Sequence, residues 1–146
     1  MSAVRTEVLD NGTVEIILGP AGGAPVINRE SANAMLSALR AIDGRSDVRV
    51  VLLRSEGKLF CGGGDIHAMH AAGDDKSTLL QDILDAVHAS ARLMRAMPQP
   101  VITLVEGAAA GAGFSLAMTC DIVIASARAK FVSAYPALAT TSDGGL

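Results

Sequence analysis

Two short stretches place residues with little or no side chain where the main chain itself could do chemistry. They are CGGGDI, Cys61–Ile66, and GAAAGAG, Gly107–Gly113. Each follows an apolar run, Val50–Arg54 and Val101–Val105, and each leads into a stretch that reads as a helix. The first N–H groups of a helix lack partners within it, and the helix dipole places positive charge there. One such loop attracts an anion. Two that face each other could each give one N–H to a single oxygen and so form an oxyanion hole. A tight turn, or a helix packed closely on a strand, explains either loop taken alone. The second loop also fits the G-x-x-x-G-x-G spacing of a dinucleotide site. However, it follows at least the fourth strand, and Asp121 begins the next strand instead of ending it, which argues against that use.

Strands must lead into these loops and helices must follow them. Val4–Leu9 and Thr13–Leu18 flank Asn11-Gly12, a hairpin signal, and Gly19–Pro25 reads as a loop. Asn28 can cap a helix in which Ala32, Met35, Leu36, Leu39 and Ile42 recur at helical spacing, ended by Asp43-Gly44. Val50–Leu53 reads as a buried strand closed by Arg54, followed by a loop over Ser55–Gly64. Asp65 to about Ala72 reads as a short helix, broken at Gly73-Asp74-Asp75. Ser77 is expected to cap a longer helix that carries Leu80, Ile83, Leu84, Val87, Ala91 and Met94 on one face and is ended by Pro98 and Pro100. Strand Val101–Val105, helix Ala112–Thr119 and strands Asp121–Ala125 and Lys130–Val132 come next, then a loop over Ala134–Leu146. This order is α/β. It implies one domain over residues 1–146, with no repeat and no internal boundary.

Composition narrows the function classes. Half of the 146 residues are hydrophobic and 18% are charged, so a core can form. Net charge is −3, and the 12 basic residues are scattered, which leaves no electrostatic footprint for nucleic acid or an anionic membrane. Arg5, Glu7 and Asp10 interrupt any signal-peptide core. The uncharged stretch Gly107–Cys120 falls short of the roughly 20 residues that span a bilayer. Cys61 and Cys120 stand in unrelated contexts. With His67, His70 and His88 they show no metal-ligand spacing. A cytoplasmic protein with free thiols and no metal is expected, with His67 and His70 expected only to flank a pocket.

LFCGGGDI, followed by PQPVITLVEGAAAGAGFSLAMTCDIVIASARAKF, resembles the enoyl-CoA hydratase/isomerase (crotonase) superfamily over most of the chain from Val50 onward. The resemblance implies a ββα superhelix and an acyl-CoA thioester substrate. Coenzyme A would enter as part of that substrate, with no separate cofactor, and the assembly would be a homotrimer or hexamer. Family members continue well past the position of Leu146 with further helices, so an incomplete C-terminus is expected. Carried over by motif, the two oxyanion donors fall on the N–H groups of Gly64 and Ala112, and the neighbouring Gly63, Gly111 and Gly113 are expected to bind the substrate. Gly64-Asp65-Ile66 resembles the backbone pocket for the CoA adenine.

The same resemblance raises the question of the proton carrier. The two glutamates of the family's hydratases correspond to Ser115 and Tyr135 here, both expected to line the substrate pocket. Adding water across a double bond needs a group to take a proton and one to return it, so two-glutamate hydration is not expected. Asp143 is the remaining acid near the site. It is similar to an aspartate in a ring-opening isomerase branch, and to the nucleophile of the 4-chlorobenzoyl-CoA dehalogenase branch. In the latter a histidine matching His88 activates water. Isomerisation through Asp143 is the leading expectation. A dehalogenase- or hydrolase-like reaction and a catalytically silent acyl-CoA binder stay open. A turn role for Asp143 before Gly144-Gly145, a merely solvated His88 and a pocket-wall role for Tyr135 stay open too.

Overall fold

The strands form where apolar residues alternate or run together, and the helices that follow Asn28 and Asp65 begin where a side chain takes an unpaired N–H. The computed structural model describes residues 3–19 and 24–144. Strands β1 (Val4–Val8) and β2 (Thr13–Leu18) pair antiparallel across the Asn11-Gly12 turn. Helix α1 (Arg29–Ile42) starts at Asn28. The Asn28 side chain accepts the Ser31 N–H at 2.9 Å, and the Ser31 hydroxyl accepts the Asn28 N–H at 2.9 Å. These reciprocal bonds satisfy two of the donors a helix start leaves open. The buried face of α1 is Ala32, Met35, Leu36, Leu39 and Ile42, as its spacing predicts.

From there the chain repeats one pattern: a strand in one sheet, a short strand in a second sheet, then helix. Strand β3 (Val50–Ser55) leads to β4 (Leu59–Cys61) and helices α2 (Ile66–Ala71) and α3 (Lys76–Ala96). Strand β5 (Val101–Val105) leads to β6 (Ala108–Ala110) and α4 (Ala112–Thr119). Strand β7 (Ile122–Ala125) leads to β8 (Lys130–Val132) and a 3-10 turn over Tyr135–Leu138. The large sheet has the order β1-β2-β3-β5-β7 and the small one β4-β6-β8. All pairings after the hairpin are parallel. This is the ββα repeat that the resemblance implies, each turn adding one strand to each sheet. Val51, Leu53, Val101 and Val105 of the large sheet and Phe60 and Ala109 of the small one are buried in the core. Helix α1 packs on α3, and α4 packs against β4, β6 and α3. Outer edges of β7 and β8 have no partner strand among the described residues, and Ile122, Ile124, Phe131 and Val132 are exposed there.

Several expectations need correction. The presumed loop Ser55–Gly64 contains β4, and the first three alanines of GAAAGAG, Ala108–Ala110, form β6, the central strand of the small sheet. Three residues are too few for a period to show, and alanine favours helix over strand when read alone. Ser77 is not a cap: α3 begins at Lys76 after Asp75, with no side-chain cap. The fully buried stripe of α3 is Ile83, Ala86, Ser90 and Met94; Leu80, Leu84, Val87 and Ala91 are half-buried. Ser90 is admitted to the core because its hydroxyl donates to the Ala86 carbonyl at 2.8 Å. Asp121 lies before β7 and serves its neighbours, accepting the Val101 N–H at 2.8 Å and facing Arg95 at 3.4 Å. The loop over Ala134–Leu146 includes the 3-10 turn, and its last two residues, with most of Gly19–Pro25, lie outside the described residues.

Candidate active site

The two glycine loops meet. A methyl group added to Gly63, which sits at φ +89, would lie 2.7 Å from the Ala110 carbonyl oxygen and 3.4 Å from the Ala112 nitrogen. One added to Gly113 would lie 2.5 Å from the Cys61 carbonyl oxygen. Main chain therefore packs on main chain between the first loop and the start of α4, which only glycine allows. Gly107 is tighter still, its added methyl colliding with the Lys58 carbonyl oxygen. Close packing thus explains Gly63, Gly107 and Gly113. Gly111 has a different reason. It precedes α4 at φ 51 and ψ −126, a region side chains rarely adopt, and its N–H donates to the Val132 carbonyl at 2.9 Å. The turn leaves the Ala112 N–H as the first of the helix.

Neither the Ala112 N–H nor the Gly64 N–H meets an acceptor among the described residues. Gly64 is bridged to Ile27, but that bridge uses the Gly63 carbonyl and the Asp65 N–H on either side of it. The Asp65 carboxylate caps α2, accepting the Ala68 N–H at 3.0 Å, and Ile66 is exposed. Met69, one turn into α2, lays its methyl against Gly64, 2.5 Å from where an alanine Cβ would be. Gly64 and Met69 lie five residues apart, and nothing in the spelling of the sequence marks their contact.

Three of the expected pocket residues come together. The Tyr135 hydroxyl donates to Asp143 Oδ1 at 2.7 Å and lies 2.8 Å from Ser115 Oγ. Ser115 and Tyr135 are buried, and Asp143 is half-buried. Burial pushes the Tyr135 phenol up to about 12, the Asp143 hydrogen bond adds to the rise, and the Ser115 bond opposes it. Gly144 packs on Ser115, and its carbonyl accepts the Thr119 hydroxyl at 3.2 Å. Ser115 and Thr119 are four apart on α4, so one helix face holds the end of the described chain. Phe114 of α4 meets Phe131 of β8 with ring centroids 5.3 Å apart.

His88 is half-buried on α3 and is not hydrogen-bonded into this cluster. It lines a cavity of about 720 Å³ with Ala91, Arg92, Arg95, Ala96, Met118, Thr119 and Gly144. That cavity lies along α3 and the far end of α4, away from the glycine loops. Its link to the cluster is Gly144, next to Asp143. His67 and His70 lie on α2, outside this cavity. Both thiols are free and buried, and burial raises each to about 11.

The profile of the enoyl-CoA hydratase/isomerase family matches residues 23–146. The chain belongs to this family. It is 34% identical over 137 residues to YhaR of Bacillus subtilis, named as an enoyl-CoA hydratase/isomerase, covering 92% of this chain and 52% of that one. It is 30% identical over 138 residues to the 1,2-epoxyphenylacetyl-CoA isomerase of Escherichia coli, covering 94% and 53%. An enoyl-CoA hydratase crystal structure from Polaromonas superposes with a TM-score of 0.88 at 32% identity, covering 97% of this chain and 55% of that one. The chain therefore spans about half the length of the relatives it matches. Within this enoyl-CoA hydratase/isomerase chain, no helix among the described residues is long and apolar enough to cross a membrane.

Proposed function

We propose that the protein acts on acyl-CoA thioesters by stabilising an enolate, and that its reaction is isomerisation of an enoyl group. The observation that carries this reading is the pair of unengaged amides, Gly64 N–H and Ala112 N–H, on two loops whose backbones touch. The thioester oxygen accepts both hydrogen bonds. They strengthen as negative charge moves onto that oxygen, so they favour the transition state over the ground state. Asp143 takes a proton from the carbon next to the double bond and returns it at the other end of the three-carbon unit. No water and no cofactor enters the balance, and coenzyme A is only the substrate's handle. Ser115 and Tyr135 are bonded to each other, and neither is a carboxylate that could serve two-glutamate hydration. The backbone around Gly64, Asp65 and Ile66 is the proposed contact for the CoA adenine; its Asp65 N–H is already given to Ile27. The exposed Ile122, Ile124, Phe131 and Val132 on open strand edges fit a protein that covers this face in a trimer or hexamer.

A second reading has one observation in its favour. The cavity that contains His88 reaches Gly144 beside Asp143. A dehalogenase- or hydrolase-like reaction would use Asp143 as nucleophile and His88 to activate water. The full-length protein is to be incubated with 2-enoyl, 3-enoyl and 4-halobenzoyl CoA thioesters in deuterated water. The expected result is interconversion of the 2- and 3-enoyl esters with deuterium at the α- or γ-carbon, without a water adduct. Halide or free acid release selects the second reading. Thioester binding with no exchange and no turnover leaves a silent acyl-CoA binder.

A further inference from the structure

We infer that Tyr135 is a positioning residue: its hydroxyl, itself held by Ser115, fixes the carboxylate of Asp143 relative to the Ala112 end of α4. The inference rests on the reading of Asp143 as proton carrier. A tyrosine hydroxyl has one proton. It is given to Asp143 Oδ1 at 2.7 Å, so the 2.8 Å contact with Ser115 must be a bond donated by the serine. The chain of donors runs Ser115 to Tyr135 to Asp143. Ser115 lies three residues after Ala112 in α4, on the same face of the helix. The donor expected to hold the thioester oxygen and the carboxylate expected to move the proton are thus tied to one rigid element.

The need for such a tie is visible in the backbone. Residues 139–143 form no regular structure and are largely exposed. The last described residues lean on α4 through Gly144, and Thr140 leans back on the Tyr135 carbonyl through its N–H and hydroxyl, each at 3.2 Å. Tyr135 has the opposite character. It is buried at the start of a 3-10 turn anchored behind β8. A carboxylate on an irregular segment is held by a phenol that cannot wander. Misplacing a catalytic group by about 1 Å costs on the order of 100-fold in rate, so this bond acts on turnover more than on binding.

The chain contains one tyrosine and no tryptophan, so tyrosinate absorbance reports Tyr135 alone. The test combines Tyr135→Phe, Ser115→Ala, Asp143→Asn and the double variant Tyr135→Phe/Asp143→Asn. Solvent-deuterium exchange, thioester affinity and unfolding midpoints are measured for each, with alkaline titration wherever Tyr135 is present. Tyr135→Phe is expected to slow exchange by about 10- to 100-fold with thioester affinity unchanged, and Ser115→Ala by less. In the Asp143→Asn background Tyr135→Phe is expected to cost nothing further, which a general loss of packing would not produce. Replacing the charged acceptor in Asp143→Asn should lower the tyrosinate midpoint from about 12. Exchange at the wild-type rate in Tyr135→Phe, together with its loss in Asp143→Asn, overturns the positioning role and leaves the proton carrier standing. Undiminished exchange in Asp143→Asn overturns the proton carrier and this inference with it. An unmoved tyrosinate midpoint in Asp143→Asn overturns the hydrogen bond itself, with no need for activity.

Discussion

Gly64 and Gly107 are both glycines in glycine-rich stretches, but their surroundings make opposite demands. An added methyl at Gly64 meets only the tip of Met69, a flexible side chain that can swing away. Gly64→Ala keeps the N–H and is expected to keep most of the exchange activity. Gly64→Pro removes the donor without breaking an internal hydrogen bond, since none uses that N–H. It should lose about 3 kcal/mol of transition-state stabilisation while its unfolding midpoint stays near that of wild type. Comparing kcat/KM and urea midpoints for the two variants checks this. A folded Gly64→Pro with full turnover would remove Gly64 from the oxyanion hole.

At the scale of elements, β4 is joined to β6 and α4 by main-chain contacts that leave no room for a methyl group. Gly107 faces the Lys58 carbonyl, and Gly113 faces the Cys61 carbonyl. Neither carbonyl is the end of a movable side chain, so Gly107→Ala and Gly113→Ala must separate the strand from its neighbours. Each is expected to destabilise by about 1–3 kcal/mol or more, read as a lower urea midpoint. Gly113→Ala should also lower activity beyond its effect on stability, because it moves α4 and the Ala112 N–H away from the Gly64 loop. An unchanged urea midpoint in Gly107→Ala would show that β4 and β6 are not packed this closely.

For the whole molecule, burial of Cys61, Cys120 and Tyr135 couples folding to proton retention. Folding raises the thiols from their ordinary 9.0 to about 11 and the phenol from 10.0 to about 12. The unfolded chain gives up these protons first. Above pH 9 it therefore binds fewer protons than the folded state, and stability falls as pH rises. The contribution is fully present below pH 9. The thiols lose theirs between about 9 and 11, and the phenol between about 10 and 12. Urea midpoints are expected to drop from pH 9 to pH 11, and Cys61→Ala/Cys120→Ala should flatten that drop. An equal slope in the double variant would assign alkaline lability to other groups.

Helix α1 and the hairpin are local matters. Asn28, the spacing of Ala32 to Ile42 and Asn11-Gly12 carry their own geometry, because capping and amphipathic periodicity act within a few residues. The sequence by itself also determined the strand cores at Val50 and Val101, helix Ala112–Thr119, and the motif that places the chain in its family. Strands β4 and β6 were not legible. Three residues give no period, and their strand form is stabilised by parallel neighbours distant in sequence. On α3 the apolar face was legible but Ser90 was not, because a serine enters the core only once its hydroxyl is satisfied by its own helix. Within the site, the residue types at Gly64, Ala112, Ser115, Tyr135 and Asp143 could be read one by one. Their relation could not. Tertiary structure alone decided that the two glycine loops touch and that Ser115, Tyr135 and Asp143 form one line of hydrogen bonds. Those contacts depend on the superhelix bringing the turn after β8 back onto α4, a distance no local rule of spacing measures.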